Sequence, residues 1–238
     1  MSEKLKTGIY IHIPFCESKC FYCDFVSFVK KNDHDIYGKR LIREIKTCRE
    51  LNKTRIETVF IGGGTPSLLS CDLIEKILSC FDLTNTREIT IEVNPESIAH
   101  EKVCIYKNFG VNRISIGLQA IQDNLLKSIG RVHNFKTFER AYDLISKKFD
   151  NINIDLMFGL PNQSLGDWQE TLIYIKKILP KHVSVYSLII EPKTKFYLLN
   201  QKNKLNLPNE NIERQMYHMA KEILAPEYYQ YEISNFAR

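Results

Sequence analysis

The chain has 238 residues, 44% hydrophobic and 26% charged, with a formal net charge of +5. That is ordinary globular composition, long enough for one large α/β domain or two small ones around a sizeable core. No apolar run reaches the roughly 18 residues of a membrane helix, and MSEKLKTG at the N-terminus lacks a signal-peptide core, so a cytoplasmic location is expected. Seven cysteines, an odd number, fit reduced thiols used for metal binding better than disulfides. Lysine pairs (Lys30–Lys31, Lys147–Lys148, Lys176–Lys177) are scattered rather than blocked, which describes a solvated surface and gives a nucleic-acid partner little weight.

In chain order, apolar or alternating runs at 8–13, 57–61, 88–93, 112–118, 151–158 and 181–190 predict strands. Helical periodicity fills 33–51, 70–81, 98–109, 122–148 (broken at Gly130) and 166–178, the last closed by Pro180 and Lys181. Strands alternating with helices predict six βα units and a parallel sheet over 8–190. Residues 191–207 are polar and lysine-rich, 208–225 predict a helix with Pro208 at its start, and YYQYEISNFAR reads as a strand that stops abruptly.

Strand parity says what the sheet faces. Ile9, Ile11 and Ile13 oppose Tyr10 and His12; Ile89, Ile91 and Val93 oppose Thr90 and Glu92; Ile152, Ile154, Leu156 and Phe158 oppose Asp155 and Met157. The aliphatic side suits a helix layer. A filled barrel core rarely tolerates the polar side, so the expectation is a wide or incomplete barrel with a polar lumen.

Cys16, Cys20 and Cys23 follow the first strand in PFCESKCFYCDF, the end at which an α/β barrel gathers its functional loops. Thiolate softness favours zinc or iron–sulfur. A zinc site would need a distant fourth ligand, and no CxxC or HxxxH partner follows. Plain buried cysteines would not crowd three into eight positions. Cys48, Cys71, Cys80 and Cys104 are dispersed on predicted helices and read as small core residues. A [4Fe–4S] cluster on three thiolates leaves one iron open to an outside ligand.

The CxxxCxxC spacing resembles the radical SAM superfamily. YIHIPFCxxKCxYCDF, with FIGGGTPSLLS, IEVNPES, GVNRISIGLQA, IGRVHN, IDLMFGLPNQ and YEISNFAR, resembles the oxygen-independent coproporphyrinogen III oxidase-like family, and within it the haem chaperone branch. The resemblance implies a partial (β/α)6 TIM-like barrel over 1–190. It assigns the cluster to Cys16, Cys20 and Cys23. S-adenosylmethionine (SAM) then chelates the open iron, and cluster-driven cleavage yields methionine and a 5′-deoxyadenosyl radical. It places Gly63, Gly64 and Thr65 at the methionine end of SAM, and Glu92, Gln119, Arg131 and Asp155 at nucleotide-binding positions. Tyr10 becomes a SAM contact beside the cluster, and Tyr22 contributes through its backbone. His12 stays open between substrate contact and packing.

Within the family, oxidases resemble CxxxCxxCxC, whereas Phe25 stands where their next cysteine would be. That departure implies haem as cargo, haem-accepting proteins as partners and an electron donor for the cluster. The alternative is an enzyme that oxidatively decarboxylates a porphyrinogen, so whether the chain is an enzyme stays open. Residues 191–238 are expected to begin a C-terminal extension, with the family's C-terminal domain missing after Arg238.

Overall fold

A computed structural model describes residues 5–29, 33–51 and 54–238; the Lys30–Lys31 pair and the first four residues lie outside them. Strands β1 (Leu5–Ile13), β2 (Thr54–Gly63), β3 (Glu88–Val93), β4 (Arg113–Gln119), β5 (Ile152–Phe158) and β6 (His182–Ser187) pair in that order, all parallel. Helices α1 (His34–Thr47), α2 (Cys71–Leu78), α3 (His100–Asn108), α4 (Asp123–Ser128), α5 (Phe135–Ser146) and α6 (Leu165–Ile178) occupy the crossovers. β1 bonds on one side only, so the barrel is open, as the lumen polarity required.

The parity reading holds strand by strand. Ile11, Ile13, Val59, Ile61, Ile89, Ile91, Ile114, Ile116, Ile154, Leu156, Val183 and Val185 are buried beneath the helix layer. Each such side chain contributes about 1.5–3 kcal/mol by leaving water. The opposite face aligns across strands: Glu92 is in register with Ser115, Ser115 with Asn153, and Asn153 with His182; one step further, Gly117, Asp155 and Ser184 are in register. α6 begins at a capping box in which Ser164 and Asp167 exchange side-chain and backbone bonds. It ends at Leu179 in the left-handed region, φ 47°, a residue before Pro180.

The break expected at Gly130 is present and spans six residues: α4 ends at Ser128, Gly130 takes φ +77°, and α5 restarts where the Asn134 side chain accepts from Thr137 N–H. Three other expectations change. Residues 191–207 contain a helix, α7 (Lys195–Asn200), whose Phe196 is buried. The tail forms two short strands rather than one. β7 (Tyr229–Gln230) and β8 (Asn235–Ala237) make an antiparallel hairpin, turned where Ser234 N–H meets the Glu232 carboxylate, and β8 docks antiparallel on β6. Between them α8 (Glu210–Leu224) packs on α6 and is capped by Asn209, so Pro208 lies just before the cap rather than inside the helix. Among the described residues no helix is long and apolar enough to cross a membrane.

Candidate functional site

A cavity of about 380 Å³ opens at the C-terminal ends of β1–β6. It is lined by Cys16, Cys20 and Cys23, by Tyr22, Gly63, Gly64 and Thr65, and by Glu92, Gln119, Arg131 and Asp155. Eleven of the twelve residues assigned to the cluster and SAM thus line one cavity. Tyr10 stands apart: its hydroxyl donates to His12 Nδ1 at 3.0 Å and its ring stacks on Phe60.

The cysteine loop is held at both ends and from beneath. Cys16 N–H donates to Phe28 O and Phe28 N–H to Pro14 O, while Lys19 Nζ donates to Phe25 O and to Ser27 Oγ. His12 ties this loop to β1 because its Nε2 lies 2.8 Å from Val26 O. A carbonyl only accepts, so Nε2 carries the proton and Nδ1 accepts from Tyr10. Both ring nitrogens are therefore occupied, and His12 packs and pins rather than reaching for a ligand. From below, Phe21 exchanges backbone bonds with Ile129 and Phe196, meets the Phe196 ring edge-on, and carries Lys195 Nζ 3.4 Å above its centroid. Gly130 is required here by its positive φ and because a Cβ would lie 2.7 Å from the Phe21 ring.

Two sulfurs have polar neighbours: Thr65 Oγ1 lies 3.7 Å from Cys16 Sγ and Arg131 Nη1 3.8 Å from Cys20 Sγ. The Arg131 guanidinium also donates to Asn94 Oδ1 and Gly117 O, so it is fixed before any ligand arrives. Asn94, missed in the sequence although it stands in IEVNPES, links Arg131 to Thr65 through its amide (Nδ2–Oγ1 3.0 Å). Its signal was the position one past the third strand, at the sheet's functional end.

The opposite wall is acidic. Burial, and then the nearby Asp155, push the Glu92 carboxyl up to about 7, although Gly63 N–H donates to it at 3.1 Å. Burial also pushes Asp155 up, against donation from Asn153 and Ser115. Gln119, at φ 64°, aims a buried Oε1 with no partner beside them. Two acids held partly against their charge and an orphaned acceptor are what a ligand with cationic and hydroxyl groups would complete. At Gly64 a Cβ would sit 2.5 Å from Phe15 O, so the chain there passes backbone to backbone beside the cysteines.

Among the described residues no group of three His, Cys, Asp or Glu side chains is placed to hold a metal ion. The remaining cysteines stay away from the cavity, and the expectation that they are core residues fails: Cys48 is exposed and Cys71, Cys80 and Cys104 are only half-buried.

The model of the Radical SAM superfamily matches residues 10–175. The chain belongs to that superfamily. Membership implies a [4Fe–4S] cluster and SAM, and the wall described above offers thiols for the first and complementary charge for the second. The Heme chaperone HemW of Bacillus subtilis (strain 168) is 42% identical over 241 residues, covering 96% of this chain and 63% of that protein. Radical S-adenosyl methionine domain-containing protein 1, mitochondrial, of Danio rerio is 33% identical over 248 residues, covering 100% of this chain and 54% of that protein. The chain therefore spans roughly three fifths of the curated relatives it matches. Among solved structures, the radical SAM coproporphyrinogen III oxidase of Escherichia coli superposes with TM-score 0.87 at 24% identity, over 99% of this chain and 56% of that one. That likeness establishes the partial-barrel fold.

Proposed function

We propose that this chain is the cluster- and SAM-binding part of a haem chaperone, a cytoplasmic protein that binds haem and passes it to haem-requiring acceptors. Cys16, Cys20 and Cys23 would hold the cluster. Gly63, Gly64 and Thr65 would face the methionine end of SAM, and Glu92, Gln119, Arg131 and Asp155 its nucleotide and amino groups, with Tyr22 offering backbone. Tyr10, which does not line the cavity, is held by His12 beside the cysteine loop and would contact SAM next to the cluster. When bound, cluster and SAM supply reductive one-electron cleavage of a sulfonium bond, with electrons from a separate donor.

The observation that carries the reading is Phe25. It lines the cavity mouth and is 62% exposed, where the oxidase pattern would set a further thiol. Curated relatives from Bacillus and Synechocystis carry the heme chaperone name, which supports it. The test uses full-length protein with its cluster reconstituted anaerobically. Haem should bind and move to an apo-acceptor, and coproporphyrinogen III should give no decarboxylated product. Substrate-dependent 5′-deoxyadenosine with decarboxylation, and no haem transfer, would establish the oxidase instead.

A further inference from the structure

Below the cavity, one chain of hydrogen bonds runs from Asp155 to the surface of the tail hairpin. Asp155 Oδ1 lies 2.8 Å from Asn153 Nδ2 and its Oδ2 lies 3.1 Å from Ser115 Oγ. Asn153 Nδ2 also reaches Ser115 Oγ at 2.7 Å. On the other side, Asn153 Oδ1 lies 2.6 Å from His182 Nδ1 and 3.1 Å from Ser184 Oγ, and His182 Nε2 lies 2.7 Å from the Tyr231 hydroxyl.

The protons in this chain can be assigned by elimination. A carboxylate only accepts, so the Asn153 amide must turn its NH₂ to Asp155 and its oxygen to His182. His182 then donates from Nδ1, and its bare Nε2 accepts from Tyr231. Every donor points the same way, toward Asp155. The amide has no proton to hand on, so the chain orients rather than conducts. Burial, joined by Arg113, pushes His182 down to about 4, which keeps it neutral as the assignment demands. Other charged or titratable groups acting on the two ends are Glu88 and Glu232 on His182, and Arg113 on both His182 and Asp155. Glu92 and Tyr186 face Asp155 across the lumen.

We infer that Asn153, His182 and Tyr231 are positioning residues that hold Asp155 as an oriented acceptor for the hydroxyl groups of the cavity ligand. This rests on the reading of Asp155 as a SAM contact. It makes the tail segment YEISN part of the ligand site, although Tyr231 lies at the far end of the lumen.

The experiment measures SAM affinity of the anaerobically reconstituted chain by equilibrium dialysis between pH 5.5 and 8.5. Affinity needs the coupled Asp155–Glu92 pair to ionise, so it is full at high pH and lost as pH falls through the titration of the pair. His182→Phe keeps the ring but neither nitrogen. It should weaken binding about tenfold and move the midpoint up by about one pH unit, as expected for losing support to a charged acceptor. His182→Gln, whose amide can still donate to Asn153, should recover most of both. Tyr231→Phe removes one exposed hydroxyl without a folding penalty and should weaken binding about threefold. Unchanged affinity and midpoint in His182→Phe and Tyr231→Phe, with Asp155→Asn still weakened, would overturn the inference alone. No effect of Asp155→Asn would overturn the reading of Asp155 and the inference with it.

Discussion

Three thiols on eight positions after a strand point to a cluster from sequence alone, and Cys16, Cys20 and Cys23 line one cavity. Their sulfurs share a cavity wall, while Cys48 is exposed at the end of α1. Serine at Cys16, Cys20 or Cys23 should therefore abolish the brown absorbance of the reconstituted chain, and Cys48→Ser should leave it intact; equal loss with Cys48→Ser would mean a different ligand set. Glu92 carries a pH signature. Its carboxyl sits near 7, above an unfolded value of 4.5, so the folded chain holds a proton in between that the unfolded chain has released. The associated stability is complete below 4.5 and falls as pH rises through about 7. Ligand-free Glu92→Gln should thus be more stable than the parent at pH 8, on the order of 2 kcal/mol, with the gap closing near pH 5. Parallel melting curves across that range would show that the carboxyl is not held against its charge. What the sequence hid at this scale was pairing. Parity placed His12 and Asp155 on the lumen face, but only distances reveal that His12 is spent on Val26 and Tyr10, or that Asn153 and His182 serve Asp155.

Elements with strong periodicity were read within a few residues, since a period-two aliphatic run has one face to bury whatever surrounds it. The third strand was placed at 88–93 and is Glu88–Val93. Segment 191–207 was not, because Lys193, Lys195, Lys202 and Lys204 interrupt its apolar residues and α7 is short, anchored by Phe196. That helix matters through Phe21, on which it closes under the cysteine loop. Phe196→Ala should cost about 3–5 kcal/mol as a large-to-small core change. Iron per chain after reconstitution should fall with it, because Phe196 supports the cysteine loop through Phe21. Full iron content in a clearly destabilised variant would separate α7 from the loop.

The whole molecule is an open parallel barrel whose last strand is covered by its own tail. Phe236 on β8 is buried against the β6 side of the core, and Val185 N–H bonds Ser234 O. The hairpin was illegible because EISN looks like strand and turns only where Glu232 captures Ser234 N–H. Phe236→Asp should free it, at a cost of roughly 3 kcal/mol or more for an unpaired buried charge. Limited proteolysis would then cut within 229–238 before any barrel element; cleavage as slow as in the parent would show the hairpin is held by something else.

The proposed function rests on three thiolates leaving a cluster corner open to SAM in this cavity. Electron paramagnetic resonance of the reduced, reconstituted chain tests it most directly, with and without SAM. In the parent chain a [4Fe–4S] signal should shift on adding SAM, and the shift should weaken in Asp155→Asn. A cluster signal that SAM leaves unchanged would contradict it.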